Sequence, residues 1–306
     1  MTHIERQCNL CRSGDYRKIY KILDYDIVEC CNCGFVFLNP APAEALPEIY
    51  QEGYFTGSFS NQDTFNISGW DYFSSEHYSE VLLHSREALD DIEGFISPGR
   101  ILDIGCGPGV FLAEASARGW TPYGFDLSDF AVKYAVKQLG LRNVRKMDVE
   151  HIDYDENSFE AISLFHVIEH VLYPRELIEA SYKILKQGGI LFIETPDIST
   201  RRAKGAGRDW RYLKIPEHLN YFSIKTLSKL LKEAGFTPLK TKRAVESTGL
   251  MVGFFGGEEK ARLFYDSWSQ KSWFRFGVRK IRTAKEIISG RILRDYDKIT
   301  IIARKC

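Results

Sequence analysis

Apolar residues recur at helical spacing between Tyr78 and Phe95, at Tyr78, Val81, Leu82, Leu89, Ile92 and Phe95, and Ser97-Pro98-Gly99 ends the run. An alternation of strand and helix patterns follows. "ILDIG" precedes helical "VFLAEASARG", "TPYGFDLS" precedes "SDFAVKYAVKQLG", and "NVRKMD" predicts a third strand. "FEAISLFHV" predicts a fourth strand, "PRELIEASYKILKQGG" a helix running to its paired glycines, and "ILFIETPD" a fifth strand. "SIKTLSKLLKEAG" predicts a helix with Ser223 as N-cap and Gly235 beyond its end, and "DYDKITIIARK" a closing strand. Strands separated by helices of this length predict an α/β fold, with a doubly wound, mostly parallel sheet covered on both faces.

The first 74 residues read differently. From "NPAPAEALPEIYQEGYFTG" to about Trp70, Pro, Gly and aromatic residues alternate without a period, which predicts a connector with short helical pieces over 41–74. Residues 1–40 hold five of the seven cysteines: Cys8, Cys11, Cys30, Cys31 and Cys33. "CNLC" and "CCNC" supply two pairs with a two-residue gap, the spacing of a four-cysteine zinc site on two hairpin knuckles. The predicted ligands are Cys8, Cys11, Cys30 and Cys33, with Cys31 surplus. Four thiolates leave no open coordination position, so this zinc would be structural, replacing a core that so short a segment cannot build.

"RILDIGCGPG" is the other stretch that demands an explanation. Glycine costs backbone entropy, so three of them after an apolar strand mark a backbone that turns tightly or approaches a ligand closely. Gly105, Gly107 and Gly109 make G-x-G-x-G, whereas a nicotinamide fingerprint wants Gly or Ala where this chain has Val110. Two acids narrow the choice. Asp126 ends the second strand, where a carboxylate can accept both hydroxyls of a ribose, and Asp148 ends the third, within reach of an adenine amino group.

Charge excludes some partners. The 306 residues carry 41 Lys and Arg against 41 Asp and Glu, so no global field points to nucleic acid or a membrane. No segment has the apolar length of a membrane span, and "MTHIERQ" lacks a signal-peptide pattern, so a cytoplasmic location is expected. Charge is uneven only from Trp268 to Arg294, where eight Lys or Arg face one Glu among Trp273, Phe274, Phe276 and Ile281. That stretch fits a solvated helix face, a receiver for a phosphorylated acceptor such as a nucleotide sugar, or a peripheral contact with anionic lipid.

"DIGCGPG", the acid of "GFDLS", "MDVE", "FHVIEHV" and "LKQGGILFIETPD" together resemble the successive motifs of class I S-adenosylmethionine-dependent methyltransferases. The resemblance covers about residues 75–306 and implies a Rossmann-like, seven-stranded sheet. It implies a cofactor pocket lined by Gly105, Gly107, Asp126, Leu127, Asp148, Val149 and Phe165, with Asp103 beneath the glycine loop near the methionine ammonium. The cysteine knuckles, "CGFVFLNPAP", "YQEGYF" and "PEHLNYFSIKTLSKLLKEAGF" are similar to a bacterial subgroup with an N-terminal zinc-ribbon-like module. Members of that subgroup act on sugars, surface polysaccharides or secondary metabolites.

Methyl transfer to a hydroxyl or carbon also requires a base. "FHVIEH" places His166, Glu169 and His170 at positions i, i+3 and i+4, one face if the chain turns helical there. The expected base is His170, oriented by Glu169 or His166; His218 in "PEHLNYF" is the second candidate. Ubiquinone-pathway O-methyltransferases place Glu-x-x-Glu-His here and are thought to use a divalent metal, and this chain departs from them at His166. Two alternatives stand beside a small-molecule or carbohydrate acceptor. A nucleic-acid base methyltransferase lacks support, since neither Asn/Asp-Pro-Pro-aromatic nor a Pro-Cys nucleophile is present; a non-catalytic assembly module would not need the glycines and both acids.

Overall fold

The computed structural model describes residues 3–42, 48–61, 64–67, 69, 71–244 and 298–306. The basic, aromatic stretch 268–294 lies outside the described residues.

The chain opens with β1 (His3–Ile4), β2 (Tyr16–Ile22), β3 (Tyr25–Cys30), β4 (Val36–Asn39) and β5 (Ala41–Pro42). The strands β2, β3 and β4 form an antiparallel meander, and β1 pairs with β5. Two helices follow, the short α1 (Glu52–Phe55) and the long α2 (Ser75–Glu93), whose N-cap Ser74 accepts a bond from the His77 N–H.

The alternation predicted from the sequence then begins: β6 (Arg100–Ile104), α3 (Val110–Ala117), β7 (Thr121–Asp126), α4 (Asp129–Lys137), β8 (Val144–Lys146), β9 (Phe159–Phe165), α5 (Pro174–Ile184) and β10 (Leu185–Pro196). The remaining elements are α6 (Arg201–Ala206), β11 (Asn220–Tyr221), α7 (Ile224–Glu233), β12 (Phe236–Ala244) and β13 (Lys298–Lys305). Seven strands form one sheet in the order β12-β13-β10-β9-β6-β7-β8, with β13 antiparallel to both neighbours and the other pairs parallel. Ser223 caps α7 in a capping box with Thr226, and Gly235 follows its end at φ +96°.

Both faces of the sheet are buried, which is why its central strands read as continuous apolar runs. Ile101, Ala161, Ile190 and Phe192 face Leu89 and Ile92 of α2 and Leu112 and Ala115 of α3. On the other face, Leu102, Ile162, Leu164 and Leu191 join Ile178 of α5, Leu227 and Leu231 of α7, and Phe35 and Phe37 near the cysteines. The N-terminal strands and the large sheet therefore share one core.

Two elements differ from the sequence reading. The fifth helix stops at Ile184, and Leu185–Gly189 already belong to β10, with a register shift between Leu185 and Ile190. Leu185 is fully buried opposite Phe159, so the apolar contact draws the backbone into the sheet before the glycines are reached. β12 was not legible because "FTPLKTKRA" is largely polar; it is an edge strand, paired on one side only.

Candidate active site

The glycine loop sits at the C-terminal end of β6, as an open α/β sheet requires of a ligand crevice. Gly105 has φ +68°, and a Cβ there would lie 2.6 Å from Val167 Cγ2. Glycine is required twice over, by the left-handed backbone and by the strand-end loop that carries Val167. Asp126 leaves β7 toward the loop: its Oδ2 accepts the Gly107 N–H at 2.8 Å and its Oδ1 the Ser128 N–H at 2.8 Å. Each oxygen keeps a second lone pair. Burial raises the Asp126 pKa despite those bonds.

Asp103, on β6 below the loop, is 3% exposed and accepts the Ser163 hydroxyl at 2.7 Å. Burial pushes its carboxyl up to about 8, against the Ser163 bond. Asp148 caps a single 3-10 turn by accepting the Glu150 N–H, and Leu127 and Val149 are half-buried beside the two acids. Phe165, at the end of β9, packs its ring between Phe111 and Phe192, each 4.9 Å away, and 5.7 Å from His84. The segment read as a connector roofs this region. Phe55 of α1 is buried against Tyr72 and Phe130, and it is the nearest neighbour of Gly107 on the Cβ side, at 3.8 Å.

The residues after β9 form a turn rather than a helix. His166 has φ +53°, its N–H donates to Glu194 O at 2.9 Å, and the His170 N–H closes back on Val167 O. A left-handed histidine is uncommon. Here the ring is held from both ends, with Nδ1 3.0 Å from Glu169 Oε1 and Nε2 3.4 Å from Glu194 Oε1. Burial and the Lys298 ammonium push the His166 pKa down, but the two carboxylates outweigh them and the net shift is upward. His166 is thus held between two buried carboxylates that favour its protonated form. Glu194 also meets His84 Nε2 at 3.1 Å and Lys298 Nζ at 3.4 Å, and these neighbours, with His166, hold it well below the usual carboxylate range despite its burial.

His170 belongs to a second group. Its Nδ1 lies 3.1 Å from Glu217 O and 3.1 Å from the Tyr50 hydroxyl, while Nε2 is 4.0 Å from Glu169 Oε1. The carbonyl can only accept from a protonated Nδ1, whereas the tyrosine hydroxyl can accept from a protonated Nδ1 or donate to a bare one. The His218 ring stands edge-on to His170 with centroids 4.7 Å apart. Burial, then the neighbouring His170, drives the His218 pKa well below its ordinary value, and its Nδ1 is buried without a hydrogen-bond partner among the described residues. Glu217 is 2% exposed; its Oε1 accepts the Tyr54 hydroxyl at 2.8 Å, and Lys214 Nζ is 3.7 Å from Oε2. Ligand atoms of Glu169, His170 and His218 lie within 4.8 Å of one another.

The four cysteines form a separate cluster. Cys8, Cys11, Cys30 and Cys33 bring their sulfurs within 4.8 Å of one another, with Cys8–Cys33 at 3.5 Å and Cys11–Cys30 at 3.4 Å. Two tight turns present them: Arg12 N–H bonds Cys8 O, and Gly34 N–H bonds Cys30 O with Gly34 at φ +75°. Cys31 is exposed and outside the cluster. Four inward thiols in a tetrad fit one tetrahedral zinc.

Sequence reading missed several contributors. Tyr50 and Tyr54 sat in the aperiodic connector, and His84, Glu194 and Glu217 sat inside patterns already explained as helix, strand and loop. The only signal was "YQEGYF" itself, two tyrosines in a polar stretch.

A family described as "Methyltransferase domain" matches residues 75–241. The chain is 31% identical over 112 residues to the ubiquinone biosynthesis O-methyltransferase of Nitrosomonas europaea, covering 35% of this chain and 48% of that protein. It is 31% identical over 163 residues to the protein of the same name from Idiomarina loihiensis, covering 46% and 67%. It thus spans about half the length of the first of these relatives. Among solved structures, a SAM-dependent methyltransferase from Archaeoglobus fulgidus superposes with TM-score 0.49 and 24% identity, over 73% of this chain and 93% of that one. Among the described residues no helix is long and apolar enough to cross a membrane.

Proposed function

The chain belongs to the S-adenosylmethionine-dependent methyltransferases, and from that premise we propose that it methylates a hydroxyl, or a carbon, of a small-molecule or carbohydrate acceptor, with His170 as the general base. Bound S-adenosylmethionine supplies an electrophilic methyl on a sulfonium. Gly105 and Gly107 would let the backbone approach it, Asp126 would accept the ribose hydroxyls, Asp148 and Val149 would meet the adenine, and Asp103 would face the methionine ammonium. In-line displacement then asks the protein mainly to align the acceptor and to remove its proton.

One observation carries the choice of base. His170, on the loop that begins at Val167 against Gly105, has its ring 4.7 Å from that of His218, on the loop before β11, with Tyr50 and Tyr54 beside the pair, while His166 is held by two carboxylates. A His170 that donates through Nδ1 to Glu217 O has its lone pair on Nε2, 4.0 Å from the Glu169 carboxylate that would stabilise the imidazolium. His218, driven toward its neutral form, is the weaker base, and its bare Nδ1 suits a hydrogen bond from an acceptor hydroxyl. The orienting groups are then Glu217 and Tyr50. The ubiquinone O-methyltransferase relatives support a hydroxyl as the methylated group. Buried Glu217 with two tyrosine hydroxyls supports a polar, hydroxylated acceptor.

Cys8, Cys11, Cys30 and Cys33 hold a structural zinc in this reading. A divalent ion on Glu169, His170 and His218 is a second reading, favoured by their mutual distances. The deciding experiment incubates the protein with labelled S-adenosylmethionine and fractionated cell extract, and identifies the fraction that takes up label. Label in an RNA fraction alone, or in none, ends the proposal. Loss of transfer on treatment with a chelator that leaves the zinc in place selects the divalent-ion reading.

A further inference from the structure

Arg6 belongs to neither cluster, yet it touches the backbone behind both. It is 8% exposed, and its guanidinium bonds only uncharged oxygens among the described residues. Nη1 donates to Leu219 O at 3.1 Å and Leu38 O at 3.5 Å; Nη2 donates to Leu172 O and to Asn220 Oδ1, both at 2.9 Å. The Arg6 N–H donates to Asn39 Oδ1 at 2.8 Å, anchoring the residue beside β4. A guanidinium is a cation at any physiological pH. A buried charge without a counter-charge is costly, and such a group is tolerated where it holds a particular arrangement.

That arrangement is the junction of the two histidine loops. Asn220 presents its oxygen to Arg6 and its Nδ2 to Val171 O at 2.7 Å and Ile168 O at 3.2 Å. The Leu219 and Asn220 N–H groups both donate to Glu169 O, at 2.7 and 3.0 Å. The loop 168–172 carries His170, and the loop 217–221 carries His218. On the far side, Asn220 and Tyr221 pair with Phe37 and Val36, so β11 completes the N-terminal sheet. Only a planar fork with several donors can bind three separate segments at once.

We propose that Arg6 is a positioning residue for the methyl-acceptor side: it locks the Asn220 hub, and so sets the His170–His218 pair, while leaving the S-adenosylmethionine cradle untouched. The N-terminal module thereby acts as a support for the base. This rests on the function proposed above, but the test below does not require a known acceptor.

The test compares the parent with Arg6→Met and Arg6→Lys. Ring-proton cross-relaxation between His170 and His218, assigned with His170→Gln and His218→Gln, reports the pair. Calorimetry reports cofactor affinity, and metal analysis reports the cysteine cluster. The expected result for Arg6→Met is loss of the ring contact, with cofactor affinity within about twofold, because distant sites without shared partners vary independently. A retained ring contact overturns the proposal. If Arg6→Met also loses the cofactor, Arg6→Lys decides, since it keeps the charge and the alkyl stem but not the fork. There, loss of the contact alone supports the proposal, and a retained contact or a parallel loss of cofactor affinity overturns it. A parent protein that binds cofactor but transfers no label would break the functional reading and leave this result standing.

Discussion

The proposed cofactor cradle and the proposed acceptor side lie at the same sheet edge, but they are built in opposite ways. The proposed cradle comes from one contiguous stretch, β6 through β8, in which Gly105, Gly107 and Gly109 turn left-handed and the Asp126 carboxylate accepts the Gly107 N–H. The acceptor side draws on four separate pieces: Tyr50 and Tyr54, the loop after β9, the loop before β11, and β10 with β13. Its groups are held by buried charges and hydroxyls rather than by backbone geometry. A local device is rigid by itself, whereas a distributed one needs support from elsewhere, and here Arg6 and Asn220 stand at that junction.

This contrast can be broken most sharply on the acceptor side. His170→Ala should lose about 10²–10⁴ in methyl transfer, the usual contribution of a positioned base, with cofactor affinity unchanged by calorimetry. Near-normal turnover, together with a matching loss in His218→Ala, would hand the role to His218. Near-normal turnover in both would mean an acceptor that needs no enzymic base.

The support can be removed next. Cys30→Ala should abolish stoichiometric zinc in metal analysis and unfold the N-terminal strands, because closed thiolate sites contribute folding energy directly. Cys31→Ala, exposed and outside the tetrad, should keep the zinc and shift stability by no more than about 0.5 kcal/mol. Equal zinc loss in both would show that the tetrad is drawn wrongly.

On the cradle side the effects are smaller. Asp126→Ala should weaken S-adenosylmethionine binding by about 1–3 kcal/mol, since two ribose hydroxyls lose their acceptor and Gly107 N–H loses its partner. Unchanged affinity would remove Asp126 from the pocket.

The mildest test concerns protons. Asp103 titrates near 3.8 in an unfolded chain and is pushed up to about 8 here by burial, so between those values the folded chain holds a proton that the unfolded chain releases. Its contribution is fully present below the unfolded value and is lost as pH rises toward 8. The cofactor-free protein should therefore lose stability across that window more steeply than Asp103→Asn. If the methionine ammonium comes to rest beside Asp103, binding at pH 7 should release up to one proton, visible as a buffer-dependent enthalpy that Asp103→Asn lacks. An identical enthalpy in all buffers for the parent would place the ammonium elsewhere.

Much of the geometry of the proposed cradle was legible beforehand because each part is a short-range pattern. Apolar strand, glycine turn and amphipathic helix reveal themselves within a dozen residues, and the acid closing β7 is one strand away. The four cysteines were legible for the same reason, since a two-residue gap is a geometric unit. The condition that residues 166–170 turn helical is not met. "FHVIEH" has helical spacing, but two carboxylates from β10 and from its own turn capture His166 and hold it left-handed. The helix expected to reach Gly189 stopped early because Leu185 found Phe159 across the sheet.

By itself, then, the sequence determined the doubly wound sheet, the glycine loop with its two acids and the thiol tetrad, because each is encoded by periodicity or spacing among near neighbours. Only the tertiary structure decided which histidine is held between two carboxylates and which two face each other, and that Tyr50, Tyr54 and Arg6 lie against them. The protonation and orientation of a buried polar group are set by whatever charges and acceptors distant segments bring to it. Arg6 meets Leu219 across more than two hundred residues of chain, a distance over which no local pattern carries information.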